Sequence, residues 1–80
     1  MTGLTTARTP LPTLTDLLTA PDGEAASHGL HRFPSLAAAR SFAERATKPH
    51  FVFLGDDERF WVAPARIASA LEKAGYELAL

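Results

Sequence analysis

Three histidines, a run of three carboxylates and a few serines are the residues of this sequence that could do chemistry. His28 and His31 stand three apart and His50 opens an apolar stretch, so imidazoles at these positions could gather Zn²⁺. The pair falls where a linker meets a strand rather than on one helical face. With Cys 0 and no clear fourth ligand, ordinary hydrogen-bonded or solvent-facing histidines are expected, and no metal. Asp56, Asp57 and Glu58 offer oxygen ligands for a hard cation. They also have the composition of a solvated hairpin turn, and no second set of ligands accompanies them. Ser27 precedes His28, but neither it nor Ser35, Ser41 or Ser69 sits in a nucleophile elbow. The glycines, 5 in number, are scattered singly and make no phosphate loop. The expectation is a protein that is not an enzyme and carries no cofactor.

The elements that position these residues are built from 80 residues, enough for one domain with a small core. Without cysteines, self-association becomes the natural supplement to that core. Hydrophobic residues at 46% and charged residues at 21% are values of a folded globular chain. A net charge of -1 and a pI near 6.3 oppose bulk attachment to nucleic acid or an anionic membrane. The longest apolar run is Phe51 to Leu54, and no basic-then-apolar segment opens the chain, so a cytoplasmic location without membrane contact is expected. The abundance of Ala, Arg and Leu suggests a bacterial genome rich in GC.

Residues 1–12, rich in Thr and Pro, read as a flexible lead-in. Thr13 with Asp16 forms a capping-box pattern before a short helix carrying Leu14, Leu17 and Leu18, which Pro21 stops. Residues 13–28 are thus a short helix followed by a linker, and 29–80 the α+β domain. "GLHRFP" reads as a strand ended by Pro34. Ser35 caps a helix with Leu36, Ala39, Phe42, Ala43 and Ala46 on one side, supported by Arg40–Glu44 and Glu44–Lys48 pairs. "PHFVFLGDDERFWVAP" reads as a hairpin in which Leu54 pairs with Arg59, Phe53 with Phe60, Val52 with Trp61 and Phe51 with Val62. Pro64 starts a further helix with Ile67, Leu71 and Ala74 inward, and Gly75 ends it. "YELAL" suits a short last strand.

The order predicts an α+β fold: a small antiparallel sheet with two helices on one face, βαββα or a ferredoxin-like βαββαβ, preceded by a short helix. In that register Phe51, Phe53 and Phe60 are core. The other face presents Trp61, Arg59, Val52 and Leu54, joined by Leu30 and Arg32 from the first strand. Apolar patches of this kind are normally occupied, either by the N-terminal helix or by another molecule. Trp and Arg ringed by Val and Leu favour protein contact, so the expected function is a small interaction or regulatory module, self-associating as a homodimer around Trp61. The alternative partner is single-stranded RNA stacked on Trp61 with Arg59 and Arg32. In layout the sheet is similar to that of RNA-recognition-motif proteins, although "RFWVA" lacks their basic-Gly-aromatic signature.

Overall fold

The structure, a computed structural model, describes residues 13–79; the expected lead-in over residues 1–12 lies outside them. Helix α1 (Leu14–Thr19) begins as its sequence dictates. The Thr13 hydroxyl accepts the Asp16 N–H at 3.1 Å and the Asp16 carboxylate accepts the Thr13 N–H at 3.1 Å, satisfying two amides that the first turn would otherwise orphan. Ala20 is extended and Pro21 ends the helix after six residues.

The expected linker is instead a second short helix, α2 (Asp22–Ser27). Asp22 and Glu24 in its first turn face the positive end of the helix dipole, and Ala25 is fully buried, which docks the segment. Gly29, at φ 108°, terminates it: the Leu30 N–H reaches the Ala25 carbonyl at 2.9 Å and the Gly29 N–H reaches Ala26 at 3.0 Å. That pair of bonds is a Schellman cap, and only glycine adopts the required backbone without strain. The same device recurs at Gly75 (φ 100°) after helix α4 (Ala65–Lys73), with Tyr76 N–H to Leu71 and Gly75 N–H to Glu72, both 3.0 Å.

Strands β1 (His31–Phe33), β2 (His50–Leu54) and β3 (Phe60–Pro64) form an antiparallel sheet in the order β1-β3-β2, so the fold is α+β. Helix α3 (Leu36–Arg45) joins β1 to β2, capped by the Ser35 hydroxyl on the Ala38 N–H at 3.2 Å. The Arg40–Glu44 pair is present at 3.1 Å. The helix ends at Arg45, so Glu44 and Lys48 do not share a helical face.

The hairpin register differs by one residue from expectation. Leu54 pairs with Phe60, Phe53 with Trp61, Val52 with Val62 and Phe51 with Ala63. The cause lies in the turn: Gly55 faces Arg59 (N–H to carbonyl, 2.8 Å), and the three residues between them end with Glu58 at φ 65°. A two-residue turn plus one left-handed residue makes an odd loop, and an odd loop exchanges the faces of β2 relative to β3. Glycine usually takes that left-handed place, which is why Glu58 concealed it.

As a result both faces of the sheet are covered, and the expectation of two helices on one face is corrected. Helix α3 packs Ala39, Phe42 and Ala43 on Val52, Val62, Phe33 and Phe60. On the other face, Ile67, Ala68 and Leu71 of α4, Leu17 of α1 and Ala25 of α2 pack with Leu30, Phe53, Trp61 and Ala63. Chain topology explains this. After α4, residues 77–79 run along the outer edge of β2, through a Phe53–Leu78 bridge and bonds from Leu54 N–H to Glu77 (3.0 Å) and Ala79 N–H to Val52 (2.8 Å). The β1–α3–β2 and β3–α4–tail crossovers therefore step the same way across the sheet from strands of opposite direction. Right-handed crossovers then put their helices on opposite faces. A ferredoxin-like sheet would instead place its last strand beside β1.

Candidate functional site

Register and burial relocate the residues expected to form an open patch. Trp61, Arg59, Arg32 and Leu30 do share one face, but Trp61 is only 2% exposed and Leu30 is fully buried. Val52 is buried on the opposite face, against α3. Leu54 also lies on that side and is 50% exposed. The physical reason is the one-residue shift together with α1 and α2, whose Leu17 and Ala25 cover the indole side of the sheet.

Arg32 is not a surface cation. Its side chain retains 4% of its exposure and its guanidinium donates to the carbonyls of Leu17 (2.8 Å), Leu18 (3.2 Å) and Ala20 (3.0 Å). These carbonyls lie at or just past the C-terminus of α1, where a cation complements the helix dipole. The guanidinium carbon lies 5.5 Å from the Trp61 ring centroid, within cation–π range. Its carboxylate partner is Asp22, at 2.9 Å, and its Nε has no partner.

Asp22 also receives Arg59, whose two terminal nitrogens reach its two oxygens, at 2.6 and 3.2 Å. Arg59 in turn holds Asp57 through Nε at 3.0 Å and through its backbone N–H at 3.0 Å. Asp57 accepts the Trp61 indole N–H at 3.1 Å. The hydrogen bonds of Arg59 first, then of Arg32, hold the Asp22 carboxyl below the ordinary carboxylate range. Burial works to raise Asp57, but the Arg59 backbone N–H and guanidinium outweigh it and leave that carboxyl lowered as well. Two arginines, two aspartates and the indole thus form one charge-balanced chain of bonds. Tyr76 adjoins it: its ring centroid is 5.2 Å from that of Trp61, and its hydroxyl donates to Asp56 at 3.1 Å. Burial first, and then Asp56, raises the Tyr76 phenol above its usual value.

The histidines separate. His28 is the C-cap of α2, whereas His31 and His50 flank Phe42 under α3, with ring centroids at 4.3 and 6.1 Å from it. Among the described residues, no three His, Cys, Asp or Glu side chains gather as a metal site. No helix of the described residues is long and apolar enough to cross a membrane.

What remains exposed and apolar lies mostly along β2. Phe51 is 38%, Leu54 50% and Leu78 47% exposed. Phe51 and Leu78 are diagonal neighbours on one side of the β2–tail pair. On the other side, Leu54 lines an open cleft of about 310 Å³ with Gly55, Asp56, Gly75, Tyr76 and Glu77. The sequence reading missed this edge because it assigned Phe51 to the core. β2 ends the order β1-β3-β2, where side chains find fewer neighbours, and that order was not legible. The chain matches no protein-family profile, no curated protein and no solved structure.

Proposed function

We propose that this chain is a small non-enzymatic interaction module that associates with a second copy of itself, β2 edge to β2 edge. The observation that carries the reading is the thin cover on that edge: three tail residues held by one bridge, with Phe51 and Leu54 exposed beside them. Where the tail gives way, the Leu54 N–H and the Val52 carbonyl that it now holds become free to pair with a further strand, and apolar side chains beside them raise the gain from pairing. Two copies related by a two-fold axis would pair antiparallel strands His50–Leu54 that contain no carboxylate and no Lys or Arg, so like charges do not meet within the strands. A small core without disulfides also gains from a partner. The module is read as a cytoplasmic homodimer of bacterial origin. Stacking of single-stranded RNA on Trp61 finds no support, because the indole is buried and both nearby arginines are engaged by carboxylates.

Sedimentation equilibrium over a wide concentration range tests the reading. Wild-type protein is expected to dimerise, and Phe51→Lys and Leu54→Lys, both at exposed positions, to weaken the dimer by at least about tenfold, which is about 1.4 kcal/mol. A chain that stays monomeric at every concentration, or a dimer indifferent to both substitutions, would overturn it.

A further inference from the structure

The tail that covers β2 is physically continuous with the indole chain on the far side of the sheet edge. Tyr76 immediately precedes the tail, leans on Trp61 and is tied to Asp56 in the same turn that supplies Asp57 to the indole. Trp61 in turn lies beneath Arg32, and Arg32 holds the end of α1. Helix α1 is six residues long, too short to be stable unless docked. It is attached by the buried Leu17, by the half-buried Leu14 and Leu18 packed on the same core, and by the Arg32 guanidinium.

The ionic part of that attachment is its exposed point. The guanidinium is buried with Nε unpartnered, and its carboxylate, Asp22, is 57% exposed and shared with Arg59. A buried cation is tolerable while its counter-charge stays. Once the charge on Asp22 is removed or screened, the guanidinium keeps only carbonyl acceptors, and it regains water most cheaply if α1 lifts. Lifting α1 also frees the Arg32 guanidinium from its place over Trp61, the ring against which Tyr76 rests.

We propose that α1 is a latch, locked by Asp22 through Arg32, and that its release loosens the tail from β2 by way of Trp61 and Tyr76. The inference names the regulation of the β2 edge and rests on the self-association reading for its biological meaning. The latch itself is a property of one chain and is testable in the monomer. Released α1 frees the tail, and a freed tail gives a second copy's β2 access to the edge.

Amide hydrogen exchange on the full chain, at a dilution where it is monomeric, reads both ends of the device. In Asp22→Asn, the Leu17 amide, bonded to the Thr13 carbonyl, should exchange faster by roughly 5- to 100-fold, and the Leu54 and Ala79 amides should accelerate in parallel. The amides of β3 should keep their wild-type rates. Adding Tyr76→Ala should break the relay, so that α1 still responds to Asp22→Asn while Leu54 and Ala79 no longer do. Wild-type protein at rising salt needs no substitution and should show the same parallel acceleration, since the Asp22 pairs face solvent. If the Leu17 amide quickens while Leu54 and Ala79 stay unchanged, or if none of them responds, the latch is overturned. If exchange is coupled but sedimentation finds Asp22→Asn monomeric throughout, the latch stands and the self-association reading fails.

Discussion

Beneath α3 the sheet meets Ala39, Phe42 and Ala43, whereas on the opposite side the same strands meet apolar side chains together with two arginines, two aspartates and an indole. The first interface is specified by volume. Ala39 is fully buried, and its small side chain lets the helix approach the Val52–Val62 pair closely. The second is specified by direction as well, because Trp61 is fixed by Asp57, Arg32 and Tyr76 at once. Volume is hard to change and insensitive to solvent, while directional bonds between partly exposed ions respond to salt and charge. The side that responds to salt is therefore the one under α1.

The comparison is tested most severely at the centre of each face. Trp61→Ala removes the largest fully buried side chain and should cost roughly 3–5 kcal/mol, whereas Val62→Ala, beneath α3, should cost about 2 kcal/mol. Urea denaturation of both variants checks the order. A Trp61→Ala protein as stable as wild type would mean that the indole is not the keystone of its side.

Overfilling gives smaller effects and separates the faces spectroscopically. A Cβ at Gly55 would overlap the Trp61 ring and the Asp57 carboxylate, so Gly55→Ala must displace the indole. Ala39→Leu must displace α3 instead. Each should cost about 1–3 kcal/mol. Only Gly55→Ala should shift the emission of the single tryptophan, and a shift of equal size in Ala39→Leu would show the two sides to be mechanically one.

Much of this organisation was legible in the residues, for identifiable reasons. Thr13 with Asp16, Ser35, and Gly75 each mark a helix end through a bond that one side chain or one backbone conformation must make. Helix α2 escaped because six residues containing Gly23 carry little periodicity; the pattern of Gly29 followed by Leu30 was the available signal. The hairpin was visible and its register was not, since Glu58 occupies a left-handed position where glycine is the usual marker. The grouping of Trp61, Arg59, Arg32 and Leu30 on one face followed from alternation within their strands. Their burial did not, because what covers them is set by crossover direction and by an Arg32 bond to carbonyls 12 to 15 residues away in sequence. Within the apolar run Phe51 to Leu54, the adjacent pair Val52 and Phe53 was the trace of a strand packed on both faces, while Phe51 and Leu54 stayed exposed.

Acid provides the gentlest separation of the two faces, because each carries its own titrating groups. On the α3 side, burial under Phe42 and then the nearness of His50 lower the His31 pKa below its ordinary 6.5. The unfolded chain therefore binds more protons at His31 than the folded one just below that value. Stability should begin to fall as pH drops through about 6.5 and level off below the folded pKa of His31. On the α1 side, Asp22 and Asp57 are lowered from 3.8, so their contribution persists above that pH and is lost only as pH falls beneath it. Melting temperature from pH 8 to pH 3 should thus decline in two steps. His31→Gln should abolish the upper step and leave the lower one, while Asp57→Asn should reduce the lower step alone. An upper step that survives in His31→Gln would move its origin away from the α3 face, and the two sides would then no longer titrate apart.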